Sequence, residues 1–141
     1  MHSNNAFYLL LNFLFYSSLR EQHACLTHFC SLDSFSTQFE SYLQQKNYSF
    51  EKKTLLRKLF DQFDFDSICR TYQQDGTQIL FYDDPAYPPL LKEISYPPLV
   101  LYCKGALSLL QETCFSIVGN RAYSDYGKQV TEQFSSALAA H

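Results

Sequence analysis

The residue types best suited to holding a ligand stand together in Ile117-Val118-Gly119-Asn120-Arg121-Ala122-Tyr123-Ser124-Asp125-Tyr126-Gly127. The order reads as strand, glycine turn, then a capped helix. In open α/β sheets, ligands bind beyond the carboxyl ends of strands. A helix N-terminus at that edge offers free backbone N–H groups and a partial positive charge, which suits a phosphate. Gly119 lets the backbone turn sharply or come close to a ligand. Arg121 projects from the same edge, and its planar guanidinium can grip a phosphate through two hydrogen bonds. Ser124 can cap the helix or donate to that phosphate. Tyr123 and Tyr126 can pack against a base or a sugar. The alternative for these residues is an ordinary strand-to-helix turn, with Arg121 in water or paired to Asp125. Neither GxGxxG nor GxxxxGK[ST] occurs in the chain.

A second constellation is His23-x-Cys25-x2-His28-x-Cys30. Zinc accepts these ligand types, but on a helix the four side chains do not share one face. Buried cysteines with exposed histidines are the expectation, and no metal. Asp83-Asp84 precedes Pro85 and reads as a turn rather than a catalytic pair. No Ser/His/Asp set and no Cys/His pair stands at a telling spacing, so the residues themselves nominate no catalytic group.

The elements that must position these residues fall into two textures. Residues 1–75 contain no proline, and all five prolines lie between Pro85 and Pro98. In the first region Phe35, Phe39, Tyr42 and Leu43 follow the spacing of one helix face, with Asp33 or Ser34 as cap. Leu55, Leu56, Leu59, Phe60 and Phe63 form a second stripe, with Ser49 as cap and Glu51 in the first turn. Asp66 is expected to cap a third short helix carrying Ile68, Cys69 and Tyr72, ended by Gly76. Ala6 to Tyr16 is apolar except for Asn12 and reads as a buried first helix. With a turn around Arg20 to Phe29, about five short helices result, a small all-helical bundle.

After Gly76 the pattern changes. Thr77–Tyr82 reads as a strand, with Ile79 and Phe81 on one face and Leu80 and Tyr82 on the other. Tyr87-Pro88-Pro89 and Tyr96-Pro97-Pro98 bracket Leu90–Ile94. Leu99–Cys103 is a second strand, Leu107–Leu110 one helical turn, and Phe115–Val118 a third strand buried on both faces. Asp125–Ala140 is the last helix, with Ser124 as N-cap and Val130, Phe134, Ala137 and Leu138 on one face.

Composition limits what these elements can do. The 141 residues carry a formal net charge of −3, so no broad basic surface announces nucleic acid and any such site must be local. Five cysteines, an odd number without CxxC, point to a reduced, cytoplasmic setting. No Lys or Arg precedes the first apolar run, and it is too short to span a bilayer as a helix.

Three runs carry a resemblance to one family. Asp84-Pro85-Ala86-Tyr87-Pro88-Pro89-Leu90-Leu91 resembles the "DpxYPxxL" segment of the DNA-processing protein A (DprA/Smf) family. Ile94-x-x-Pro97-Pro98-Leu99-x-Leu101-Tyr102-x-Lys104-Gly105 is similar to its "I-x-x-P-P-x-x-L-[FY]-x-x-G". Ile117 to Gly127 resembles "[IV]-V-G-[ST]-R-x-x-S-x-Y-G", with Asn120 in place of the usual small hydroxyl residue. The three follow the family's order and spacing.

The resemblance implies an α plus α/β chain. A sterile-alpha-motif-like helical domain over residues 1–75, matched by position and helix count, would precede the start of an extended Rossmann-like domain over 76–141. It implies sequence-nonspecific binding of single-stranded DNA in natural transformation (competence), delivery of that strand to the RecA recombinase, and homodimerisation, without turnover chemistry, cofactor or membrane. It places Gly119, Asn120, Arg121, Ser124, Tyr126 and Gly127 on the DNA backbone. Two departures stand out. Phe15–Arg20 lacks the glycine of the family's hairpin after the first helix, and the chain ends before the family's further strands. A sheet missing those strands would have open edges, so a fragment of a longer protein is the expectation. Two other functions remain: a Rossmann-like nucleotide phosphoribohydrolase-type enzyme acting at the same strand edge, and a protein-interaction module formed by the helices.

Overall fold

The computed structural model describes residues 2–140, and the side chains of 4–140. Packing divides the chain into two compact units that meet at Gln111 and Glu112.

The first unit begins with five helices: α1 (His2–Leu14), α2 (Leu19–His28), α3 (Leu32–Gln45), α4 (Phe50–Asp61) and α5 (Phe65–Gln74). Their starts follow one rule. Ser18, Ser31, Ser49 and Asp64 each accept the backbone N–H three residues on, at 3.3, 3.2, 3.2 and 2.9 Å. Each thereby satisfies one of the orphan donors of a helix's first turn. Ser49 is the cap the sequence predicts, with Glu51 in the first turn. Two caps differ from expectation. Ser31 replaces Asp33 or Ser34, and Asp64 replaces Asp66, which lies in the first turn instead. The segment expected as a turn around Arg20 to Phe29 is helical through His28.

The apolar run of the first helix explains the core. Phe7, Tyr8, Leu9, Leu10, Leu11, Leu14 and Phe15 are all buried, so α1 is covered nearly all round. It packs against α2, α3, α4 and α5. Phe35, Phe39, Tyr42 and Leu43 are buried as the α3 spacing predicts. Phe35 gathers the rings of Phe7, Phe29 and Phe39 at centroid distances of 5.6, 5.0 and 5.4 Å. In α4 only Leu56 is fully buried, while Leu55 of the expected stripe is exposed. Gln22 is buried without exposure, and its amide nitrogen donates to the Phe15 carbonyl at 2.9 Å. It closes the open end of α1 from inside the core.

Gly76 adopts φ +71°, the left-handed geometry that ends α5. β1 (Gln78–Phe81) and β2 (Val100–Cys103) then pair antiparallel, Gln78 opposite Cys103 and Phe81 opposite Val100. The simple alternation expected for β1 gives way at its end, where Leu80 and Phe81 are both buried. The proline-rich connection is tied down by its own motif residues. Asp84 accepts the Phe81 N–H at 2.7 Å, and the buried Tyr87 donates its hydroxyl proton to the Pro98 carbonyl at 2.8 Å. Within it, α6 (Pro89–Lys92) is a single turn. A 3-10 turn, Leu107–Gln111, closes the unit.

The second unit is irregular from residue 112 until α7 (Asp125–Ala139), capped by Ser124. The third strand expected at Phe115–Val118 is absent. Among the described residues these four pair with no strand, and all four are exposed. An unpaired extended segment has no partner for its N–H and C=O groups, so apolar sequence alone does not make it a strand. The apolar face predicted for α7 exists, but it is not buried against anything described.

Candidate functional site

The predicted site lies wholly in the second unit. Ser124 Oγ accepts the Gly127 N–H at 3.2 Å, and the Lys128 N–H reaches the Ser124 carbonyl at 3.0 Å. The serine therefore caps α7, and its hydroxyl proton stays available for another acceptor. The N–H groups of Asp125 and Tyr126 stand in the first turn, where a helix supplies no acceptor. A Cβ at Gly127 would stand 3.4 Å from Ser124 Oγ. That is the edge of ordinary contact, so glycine keeps the cap unhindered.

Arg121 is exposed, with no ion pair or hydrogen bond among the described residues. The pairing with Asp125 weighed above does not form. Gly119 does not have the left-handed backbone that Gly76 and Gly105 adopt. A Cβ at Gly119 would meet nothing within 4 Å. The chain's own packing does not demand glycine there. Asn120 is exposed, as are Tyr123 and Tyr126, whose ring faces are open to stacking.

Ser116–Asn120, Tyr123, Ser124, Tyr126 and Gly127 line an open hollow of about 1110 Å³ together with Val130, Phe134 and Leu138 of α7. Arg121 stands outside this lining. Lys128 and Glu132 also line it, their charged groups 3.9 Å apart one turn along the helix. The sequence reading overlooked both. The signal for Lys128 was available in its i, i+4 position relative to Ser124, which puts a cation beside the cap.

The His/Cys constellation disperses. His23 Nε2 lies 2.6 Å from the Pro97 carbonyl oxygen, and His28 packs edge-on to Phe29. Cys25 is buried and donates its thiol proton to the Tyr42 hydroxyl at 3.2 Å, and burial pushes the thiol up to about 11. Cys30 is exposed. Among the described residues no group of three His, Cys, Asp or Glu side chains is placed to hold a metal ion. None of the described helices is long and apolar enough to cross a membrane.

Known proteins resemble part of this chain, and a family model covers the region that holds the site. The family model for DNA recombination-mediator protein A matches residues 78–141. Protein Smf of Synechocystis is 45% identical over 71 residues, which cover 48% of this chain and 18% of that protein. DNA processing protein DprA of Bacillus subtilis is 31% identical over 90 residues, covering 62% of this chain and 30% of that protein. The chain thus spans less than a third of the length of these relatives. No solved structure matches.

Proposed function

We propose that the chain, whose residues 78–141 match the family model for DNA recombination-mediator protein A, is part of a protein of that family that binds single-stranded DNA through its sugar-phosphate backbone. In this reading residues 1–75 are the sterile-alpha-motif-like helical domain, and 76–141 open the extended Rossmann-like DNA-binding domain. The whole protein acts in the cytoplasm during natural transformation, as a homodimer that hands the strand to RecA. No catalytic residue and no cofactor take part.

The observation that carries the reading is the uncommitted Arg121 guanidinium, exposed in the irregular segment that leads to a serine-capped helix start. Arg121 supplies a bidentate grip on one phosphate. The Asp125 and Tyr126 amides, the Ser124 hydroxyl and Lys128 supply the rest of an anion-binding edge. Gly119 and Asn120 let the backbone of the strand approach, and Gly127 keeps the cap free. Tyr123 and Tyr126 offer sequence-tolerant faces to the bases. Contacts of this kind hold phosphates and leave bases unread, so affinity falls as salt rises.

Fluorescence anisotropy with a labelled oligothymidine tests the site. Arg121→Ala is expected to weaken binding about tenfold and to flatten the salt dependence by about 0.7 in the log–log slope. Unchanged affinity in that variant would overturn the assignment.

A further inference from the structure

We infer that the residues through 111 open and close as one cooperative unit, so that helices α1–α5 are a permanent buttress of the strand pair rather than a separately folding module. The composition of the chain changes at Gly76, and the family match starts at residue 78. The packing disregards that boundary. One apolar cluster contains Phe35 and Leu43 of α3 together with Phe81, Leu99 and Val100 of the strand region. α1 is their common wall, in contact with β2 as well as with α2–α5. α5 also packs on β1, where the rings of Phe65 and Phe81 stack at 6.3 Å.

Polar ties cross the same seam. The Tyr8 hydroxyl donates to Asp83 at 2.5 Å, the Tyr102 hydroxyl donates to Asn12 at 3.0 Å, and His23 Nε2 lies 2.6 Å from the Pro97 carbonyl oxygen. Neither side is self-sufficient. A two-stranded pair is marginal in water by itself, and β1 and β2 are four residues each. The helices without the strands would leave the β2-facing side of α1 in water. Shared core and crossing ties make partial opening at Gly76 costlier than opening the whole. The inference stands apart from DNA binding and concerns only the first unit.

Native-state hydrogen exchange on the whole 141-residue chain, read amide by amide, tests it. Leu43→Ala removes a fully buried side chain of α3 that lies outside both strands. Its expected effect is a loss of protection of about a hundredfold in α3, matched by the same factor in β1 and β2. Loss confined to the helices, with strand amides unchanged, would overturn the inference. Should Leu43→Ala not fold, exchange of the parent chain in rising denaturant decides. A single shared slope and limit for α3, β1 and β2 supports one unit, and two separate limits refute it.

Discussion

Among the described residues every buried apolar side chain lies in the first unit, and Phe35, Leu43 and Leu99 have no exposed surface, although Tyr16, Phe50 and Leu90 of that unit face outward. In the second unit large apolar side chains turn outward: Val118 is 91% exposed, Tyr126 76% and Phe134 62%. The two units therefore use the same residue types for different ends. In the first, the buried aromatics and leucines are explained by the neighbours they touch. In the second, nothing described covers those side chains. The glycines follow the division. Gly76 and Gly105 are required by left-handed backbone, whereas Gly119 and Gly127 stand at ordinary φ around the proposed ligand edge.

The contrast can be broken most directly by matched truncations. Phe35→Ala is expected to destabilise the chain by about 3–5 kcal/mol in urea unfolding, because it empties the centre of a ring cluster. Phe134→Ala should change the same midpoint by less than about 0.5 kcal/mol, as surface substitutions do. Equal effects would mean that the second unit has a core of its own.

Alkaline titration sharpens the comparison next. Burial raises the Cys25 thiol from 9.0 to about 11, so the folded state keeps its proton after the unfolded chain has lost it. The resulting stability is complete below pH 9 and lost as pH rises toward 11, by about 2 kcal/mol for the thiol alone. Urea midpoints at pH 8 and pH 10.5 measure the loss, and Cys25→Ala should reduce it. The smallest effect is expected at the cap of α7. Ser124→Ala should cost that helix about 1 kcal/mol, seen as lower helical circular dichroism, and leave the urea midpoint of the first unit in place.

How much was legible in the sequence follows the same division. The α3 stripe, the Ser49 and Ser124 caps and the Gly76 stop were readable because each rests on contacts within a few residues. Cap choice at Ser31 and Asp64 was missed by two or three residues, since several capping residues compete in each stretch. The strand expected at Phe115–Val118 was misread because strand formation depends on a partner that local pattern does not encode. The role of Asp84 and Tyr87 as clamps of the proline connection was also hidden, because the bond from Tyr87 to Pro98 spans eleven residues. Within the candidate site, the serine cap was foreseeable from spacing. The exposure of Arg121 and the presence of Glu132 in the hollow needed three dimensions.

The central place of α1 has a consequence for biosynthesis. This greasy segment leaves the ribosome well before part of its covering, β2, which lies more than eighty residues downstream. At translation speeds of about 5–20 residues per second, it waits roughly 5–20 s before that cover exists. During the interval it is a natural client for a holdase chaperone, and slow codons between α5 and β2 should raise the insoluble yield.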